Sequence, residues 1–163
     1  MARRDEERRK EMLEAFEGFA SKGGFRDKVD HITSEEVAKR MGDGDLVVVD
    51  VRPDKLRAVS RIPGSMSQKE FEDKRAGDAS FFQGKTVVTS CTIGFKAGLF
   101  ALSLVENSKD LVVKNHVGSM MDWCHEGGDL VDGKGEATKN VHGMSEDLVK
   151  YFPHAKGYNI VTD

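Results

Sequence analysis

One cysteine, set between an apolar run and a helix-like segment, has the clearest chemical potential in this chain of 163 residues. Cys91 follows the β-branched run 86–89 by one residue, and a helical pattern begins near Phe95. A loop at the start of a helix turns backbone N–H groups inward, where they stabilise an anion. A thiol at its centre is favoured as thiolate, the nucleophilic form. The pattern predicts a nucleophilic Cys91.

Two residues in the same loop support this interpretation. Gly94 allows the chain to curl tightly around the thiol, and Lys96 adds a positive charge at the rim. The alternative is a buried core cysteine at the end of a strand, which is common. The second cysteine, Cys124, lies beside Trp123 in a predicted helix, and we expect it to pack there rather than resolve a disulfide.

Composition limits the classes of function. Apolar residues make up 38% of the chain and charged residues 33%, and the net charge is −3. No stripe of Lys and Arg with interleaved aromatic residues is present, so nucleic acid is not an expected partner. The longest apolar run is far shorter than a bilayer span, so a membrane role is not expected. We expect a monomer.

Cysteine and histidine usage bears on compartment and cofactors. Two cysteines are too few for a disulfide scaffold, and the N-terminus alternates basic and acidic residues, unlike a signal or transit peptide. These features predict a cytoplasmic protein. The five histidines show no ligand spacing, so we expect no metal.

The periodicity of apolar residues predicts alternating strands and helices. Helical spacing over residues 4–21 predicts an amphipathic helix, and a capping-box pattern at Thr33 and Glu36 predicts a second helix from about 34 to 41. Continuous apolar runs predict strands covered on both faces, with an apolar helix between the last two. The predicted strands are 46–49, 86–89 and 111–113, and the helix is 95–105. This order favours an α/β fold with a parallel sheet.

Five segments, in order over residues 31–132, together resemble the motifs of the rhodanese domain. They are His31–Glu36, Val49–Pro53, Arg61–Ser65, Cys91–Lys96, and Val117–Trp123 with Gly127. The resemblance implies a five-stranded parallel sheet flanked by helices on both faces. It divides the chain into an N-terminal amphipathic helix at 1–27, a rhodanese-like domain at 28–132, and a C-terminal extension with a short helix at 133–163.

The resemblance also implies a reaction. Cys91 would take sulfur from a small anionic donor, thiosulfate or a persulfide, and form a persulfide of its own. A thiol, cyanide or a protein cysteine would accept the sulfur, and no cofactor is implied. The implied anion-binding residues are those of the loop and one arginine on the Arg61–Ser65 turn, namely Thr92, Ile93, Gly94, Phe95, Lys96, Ala97 and Arg61.

The chain departs from the family pattern beside the signature arginine. Leu56 stands where the family usually carries a glutamate that would hold Arg52. Arg52 is therefore expected to pair with Asp50 or Asp54, or to face solvent.

Two alternatives to sulfur transfer remain open. A cysteine phosphatase or arsenate reductase could use the same scaffold, but those relatives place five residues between the cysteine and an arginine, whereas four separate Cys91 from Lys96. A phosphate ester calls for a wider loop and a forked guanidinium. The other alternative is a non-catalytic binding module, in which the two cysteines would alkylate at similar rates.

Overall fold

The computed structural model describes residues 4–163, so residues 1–3 of the predicted N-terminal segment 1–27 lie outside the described residues. Six α-helices and seven strands are present in this part of the chain. The helices are α1 (Asp5–Lys22), α2 (Ser34–Arg40), α3 (Asp54–Val59), α4 (Gln68–Gly77), α5 (Phe95–Asn107) and α6 (Ser119–His125). The strands are β1 (Asp30–Ile32), β2 (Leu46–Asp50), β3 (Met66–Ser67), β4 (Thr86–Ser90), β5 (Val112–His116), β6 (Asn140–His142) and β7 (Asn159–Val161).

Five strands form one parallel sheet in the order β1-β5-β4-β2-β3, with helices around it. This confirms the predicted α/β fold and strand number. All five residues of the central strand β4 are buried, as expected of a strand covered on both faces. The register pairs Asp50 with Ser90, so β2 and β4 end side by side. Cys91, the residue after Ser90, therefore lies at the carboxyl-terminal edge of the sheet.

Strand β5 begins one residue later and ends three residues later than the predicted run 111–113. The polar residues Asn115 and His116 continue the strand although they break the apolar pattern, and both are fully buried. Their side chains find buried hydrogen-bond partners, which removes the desolvation cost that would otherwise exclude them. Tertiary partners therefore extended a strand that the apolar pattern ended early.

The N-terminal helix and the C-terminal extension share one hydrophobic core with the sheet domain. In α1, Met12, Phe16 and Ala20 are buried at helical spacing, in agreement with the predicted amphipathic helix. In the extension, β6 and β7 form a separate two-stranded parallel sheet, and Val141 and Phe152 are fully buried in the common core. A 3₁₀-helix, Glu146–Tyr151, stands where the short helix was predicted.

Direct hydrogen bonds join the extension to α1 and to the segment after α6. The Asp5 carboxylate accepts from the amides of His154 (2.7 Å) and Ala155 (3.0 Å). The Tyr158 hydroxyl donates to the Gly128 carbonyl at 2.6 Å. The extension therefore docks on the domain. In the described part of the chain, no helix combines the length and the apolarity needed to cross a membrane.

Candidate active site

Cys91 lies in the turn between β4 and α5, and two backbone N–H groups are directed at its sulfur. The Gly94 amide donates to Cys91 Sγ at 3.1 Å, and the Ala97 amide lies at 3.5 Å from the same sulfur. Gly94 is the N-cap and Ala97 lies in the first turn of the 13-residue helix α5, so the field of the α5 N-terminus acts on the sulfur as well. Such a cradle stabilises negative charge on Sγ.

The N-terminal end of α6 orients the peptide groups of the loop. The amides of Met120 and Met121 donate to the carbonyls of Cys91 and Thr92, each at 3.1 Å. The Cys91 amide donates to the hydroxyl of Ser119 at 3.1 Å. These bonds fix the orientation of the Cys91 and Thr92 carbonyls. The segment Val117–Trp123 thus shapes the loop through two backbone amides and the Ser119 hydroxyl.

Gly94 has a backbone conformation that favours glycine, with φ of +112°. The Gly94 carbonyl accepts a 3.1 Å hydrogen bond from the side-chain Nδ2 of the buried Asn115. The Asn115 Oδ1 in turn accepts from Thr89 Oγ1 at 3.0 Å. This chain of bonds links strands β4 and β5 to the turn. Asn115 is therefore a positioning residue that the sequence did not predict, since a lone asparagine beside a short apolar run carries no specific signal.

His116 lies beneath the loop and bonds two serines. Its Nε2 is 2.7 Å from Ser34 Oγ and its Nδ1 is 3.0 Å from Ser90 Oγ, the residue before Cys91. Complete burial lowers the pKa of His116 to about 4, although the charges of Asp122 and Asp50 act in the opposite direction. The neutral ring donates from one nitrogen and accepts at the other, so it joins β1–α2 to the active loop.

The buried His116 predicts that stability falls as the solution becomes acidic. The unfolded state takes up a proton near pH 6.5 and the folded state only near pH 4, so between these values the unfolded state binds more protons. We expect the free energy of unfolding to fall by about 2 kcal/mol from pH 7 to pH 5 through this group. Urea titrations at both pH values measure it, and His116→Gln should show the smaller pH dependence. Equal pH dependence would contradict the assignment.

Arg52 is buried and pairs with Asp50, one of the predicted outcomes. Its Nη2 and Nε lie 2.8 and 3.0 Å from the two Asp50 oxygens, and Nη2 also donates to the Ser60 carbonyl. Arg57, which the sequence did not single out, adds a second cation 3.1 Å from Asp50. The Arg52 Nη1 is buried and has no hydrogen-bond partner, so one cationic donor remains unused.

A cavity of about 290 Å³ opens over the cysteine. Five predicted site residues line it, and Arg52 faces it from the end of β2; the five are Cys91, Thr92, Ile93, Phe95 and Lys96. Thr92 Oγ1 is buried without a partner, like Arg52 Nη1. Buried polar groups normally have partners, and both residues line the cavity, so these two atoms are candidates to bind a polar ligand atom.

The remaining predicted site residues have different places. Gly94 and Ala97 contribute amides to the sulfur rather than cavity surface. Lys96 is exposed at the mouth. Arg61 is not among the residues that line the cavity, and its guanidinium donates to the Asp132 carbonyl at 2.9 Å. The geometry therefore ties Arg61 to the last residues of the 28–132 domain instead of the loop.

The two cysteines have different surroundings, which predicts selective alkylation. Cys124 is fully buried in the core, and burial raises its pKa to about 12. Cys91 lines the cavity, and its sulfur accepts hydrogen bonds from backbone N–H groups. Under native conditions at pH 8 we expect iodoacetamide to modify Cys91 at least a hundredfold faster, measured by peptide mass spectrometry. Similar rates at both cysteines would instead favour a non-catalytic binding module.

Comparison with known proteins gives a family and a fold. The family profile described as "Rhodanese-like domain" matches residues 33–126. Among solved structures, the chain is similar to a thiosulfate sulfurtransferase from Pseudomonas aeruginosa, with 16% identity and a TM-score of 0.61 over 77% of this chain and 23% of that one. A search of curated proteins finds no match.

In two further solved structures, the match with this chain spans most of the other protein's length. One is a Rhodopseudomonas palustris CGA009 protein of unknown function described as a possible tyrosine phosphatase, with 21% identity and a TM-score of 0.53 over 69% of this chain and 91% of that one. The other is a Bacillus halodurans protein, with 18% identity and a TM-score of 0.51 over 71% and 86%. At these identities the likeness establishes the fold alone.

Proposed function

The chain belongs to the rhodanese-like domain family, and from this premise we propose that it is a sulfurtransferase with Cys91 as its nucleophile. The observation that carries the proposal is the pair of amides, from Gly94 and Ala97, directed at Cys91 Sγ. They stabilise the attacking thiolate first and the persulfide afterwards, because both place negative charge in the same cradle.

The proposed reaction has two half-reactions. In the first, the Cys91 thiolate attacks the outer sulfur of thiosulfate or of a persulfide, an S–S bond forms, and sulfite or a thiolate leaves with the electron pair of the broken bond. In the second, a thiol, cyanide or a protein cysteine attacks the outer sulfur of the persulfide and restores the Cys91 thiolate. Splitting the transfer in this way gives ping-pong kinetics.

Two unpartnered donors, on residues that line the cavity, support an anionic donor substrate. Arg52 Nη1 and Thr92 Oγ1 are both buried without hydrogen-bond partners. A bound anion would supply the missing acceptors and relieve the cost of leaving these groups unsatisfied. Lys96 at the mouth adds long-range attraction for a negative substrate.

The second candidate is phosphate-ester hydrolysis, which the Rhodopseudomonas neighbour favours through its description. The loop argues for sulfur, because Lys96 is an exposed point charge rather than a buried fork for three phosphate oxygens. Two assays on one preparation decide: thiocyanate formation from a sulfur donor and cyanide, and hydrolysis of an aryl phosphate. We expect turnover only in the first, and faster aryl phosphate turnover would reverse the order of the candidates.

A further inference from the structure

Part of the apolar wall of the cavity comes from outside the family-matched region 33–126. Phe19 of α1 contributes one wall, and Met144 and Leu148 of the C-terminal extension contribute another. Phe19 packs on Phe95 with ring centroids 5.0 Å apart, which joins the first wall to the start of α5. The two segments that flank the matched domain therefore shape the space above Cys91.

Cavity size and lining are poorly matched to thiosulfate. An apolar cavity of about 150 Å³ is enough to hold benzene, and the cavity over Cys91 has about 290 Å³. Thiosulfate is a compact dianion, so it would leave much of this space unfilled and set charge against Leu56, Met144 and Leu148. Placing charge against apolar side chains is costly, whereas an apolar group in the same place is stabilised.

The cations near the sulfur also suit a single negative charge. Arg52 is already paired with Asp50 and keeps only Nη1 free. Lys96 is exposed to solvent at the mouth, which weakens its effect inside the cavity. The interior thus offers the loop amides, one guanidinium nitrogen, Arg52 Nη1, and the Thr92 hydroxyl, a set suited to one charged group next to an apolar body.

Met144 is held in the wall by a specific backbone arrangement. Its φ is +73°, unusual for a residue with a side chain, and its amide donates to His142 Nδ1 at 3.0 Å. His142 is itself buried, and its Nε2 lies 3.1 Å from the Asp163 carbonyl. These bonds fix the backbone that carries Met144, although 45% of that residue is exposed. Strained residues of this kind persist where the surrounding structure fixes them, often at ligand sites.

We propose that the preferred sulfur donor is an organic monoanion, an apolar body that carries a terminal sulfane sulfur, such as an aryl thiosulfonate or an aralkyl persulfide. The proposal rests on the proposed function. The Cys91 thiolate attacks the terminal sulfur and a new S–S bond forms. The bond from that sulfur to the rest of the donor breaks, and its electron pair leaves on a sulfinate or a thiolate. The apolar body lies against Phe19, Met144 and Leu148.

Matched donors test the proposal. Persulfide formation is timed by intact mass with benzenethiosulfonate and methanethiosulfonate, which differ only in the apolar body, and with thiosulfate. Each rate is divided by the rate of the same donor with free cysteine. We expect benzenethiosulfonate to exceed methanethiosulfonate at least tenfold, since each methylene-sized group in an apolar pocket contributes about tenfold or more. The same comparison is made with benzyl and methyl hydropersulfide, which release a thiolate instead of a sulfinate. The pair with the larger preference for the apolar body shows which leaving group the preferred donor carries.

A wall variant and a control assign the preference to the cavity. Met144→Gln keeps the size of the side chain but adds a polar amide, and should lower the aryl preference at least fivefold. Leu99→Gln changes an apolar residue of similar exposure, 40%, outside the cavity and should leave the preference unchanged. Equal rates with both donors of each pair, or equal preferences in the wild type and Met144→Gln, would overturn the proposal while sulfur transfer stands. No persulfide from any donor would overturn the proposed function itself.

Discussion

Replacing Gly94 with alanine is expected to lower sulfur transfer at least a hundredfold and to destabilise the protein by about 2–4 kcal/mol. A methyl group at Gly94 would lie 2.7 Å from Phe16 Cε1 and 3.2 Å from the His116 carbonyl, at a φ of +112°. The loop would have to move, and with it the amide that reaches Cys91 Sγ. Displacements of about 1 Å in a catalytic group can cost a hundredfold in rate.

The control is Gly84→Ala, which separates backbone strain from the clash. Gly84 also has a positive φ, +75°, but an added methyl group there meets nothing within 4 Å. We expect it to cost about 1 kcal/mol and to leave sulfur transfer unchanged. Urea unfolding and the cyanide assay give both quantities. If Gly94→Ala were as active and as stable as Gly84→Ala, the described loop geometry would be wrong.

Replacing Arg52 with methionine is expected to destabilise the protein by about 3 kcal/mol or more. The Asp50 carboxylate would lose its closest charged partner, at 2.8 Å, in a place where both side chains are almost fully buried. Arg57 remains 3.1 Å from Asp50 and prevents a complete loss of pairing. The loss should appear as a lower urea midpoint with an unchanged slope, because the variant keeps the same fold.

Arg75→Met provides the matched comparison for Arg52→Met. Arg75 also makes a 2.8 Å ion pair, with Asp110, but that carboxylate is largely exposed to solvent. Exposed pairs contribute little, so we expect a loss below about 1 kcal/mol. Equal losses for the two variants would contradict the view that burial makes the Asp50 pair structural.

The sequence predicted the sheet and the position of Cys91 between a strand and a helix, because both depend on local signals. The runs at 46–49 and 86–89 are β-branched and continuous, and the helix start near Phe95 follows Cys91 closely. Strand β5, however, extends to His116, three residues beyond the predicted run. The buried partners of Asn115 and His116 come from distant segments, which a local pattern does not include. For Arg52, the sequence left three outcomes open, and the structure selects Asp50.

The cavity walls could not be predicted from the sequence. Met144 and Leu148 reach the cavity only because β6 and β7 pair, and strands of three residues carry almost no periodic signal. The bond from the Arg61 guanidinium to the Asp132 carbonyl was not predictable either, because it depends on the long-range bridge between Arg61 and Val131. Long-range packing thus decided which residues surround the thiol, whereas local pattern decided where the thiol lies.

The most direct test of sulfur transfer through Cys91 is the intact mass of the protein after brief incubation with thiosulfate or benzenethiosulfonate, beside a Cys91→Ser variant. We expect the wild type to gain the mass of one sulfur atom, cyanide to remove it, and the variant to gain none. No gain from either donor in a protein whose Cys91 is reduced and open to alkylation would contradict sulfur transfer. An equal gain in Cys91→Ser would contradict the assignment of the nucleophile.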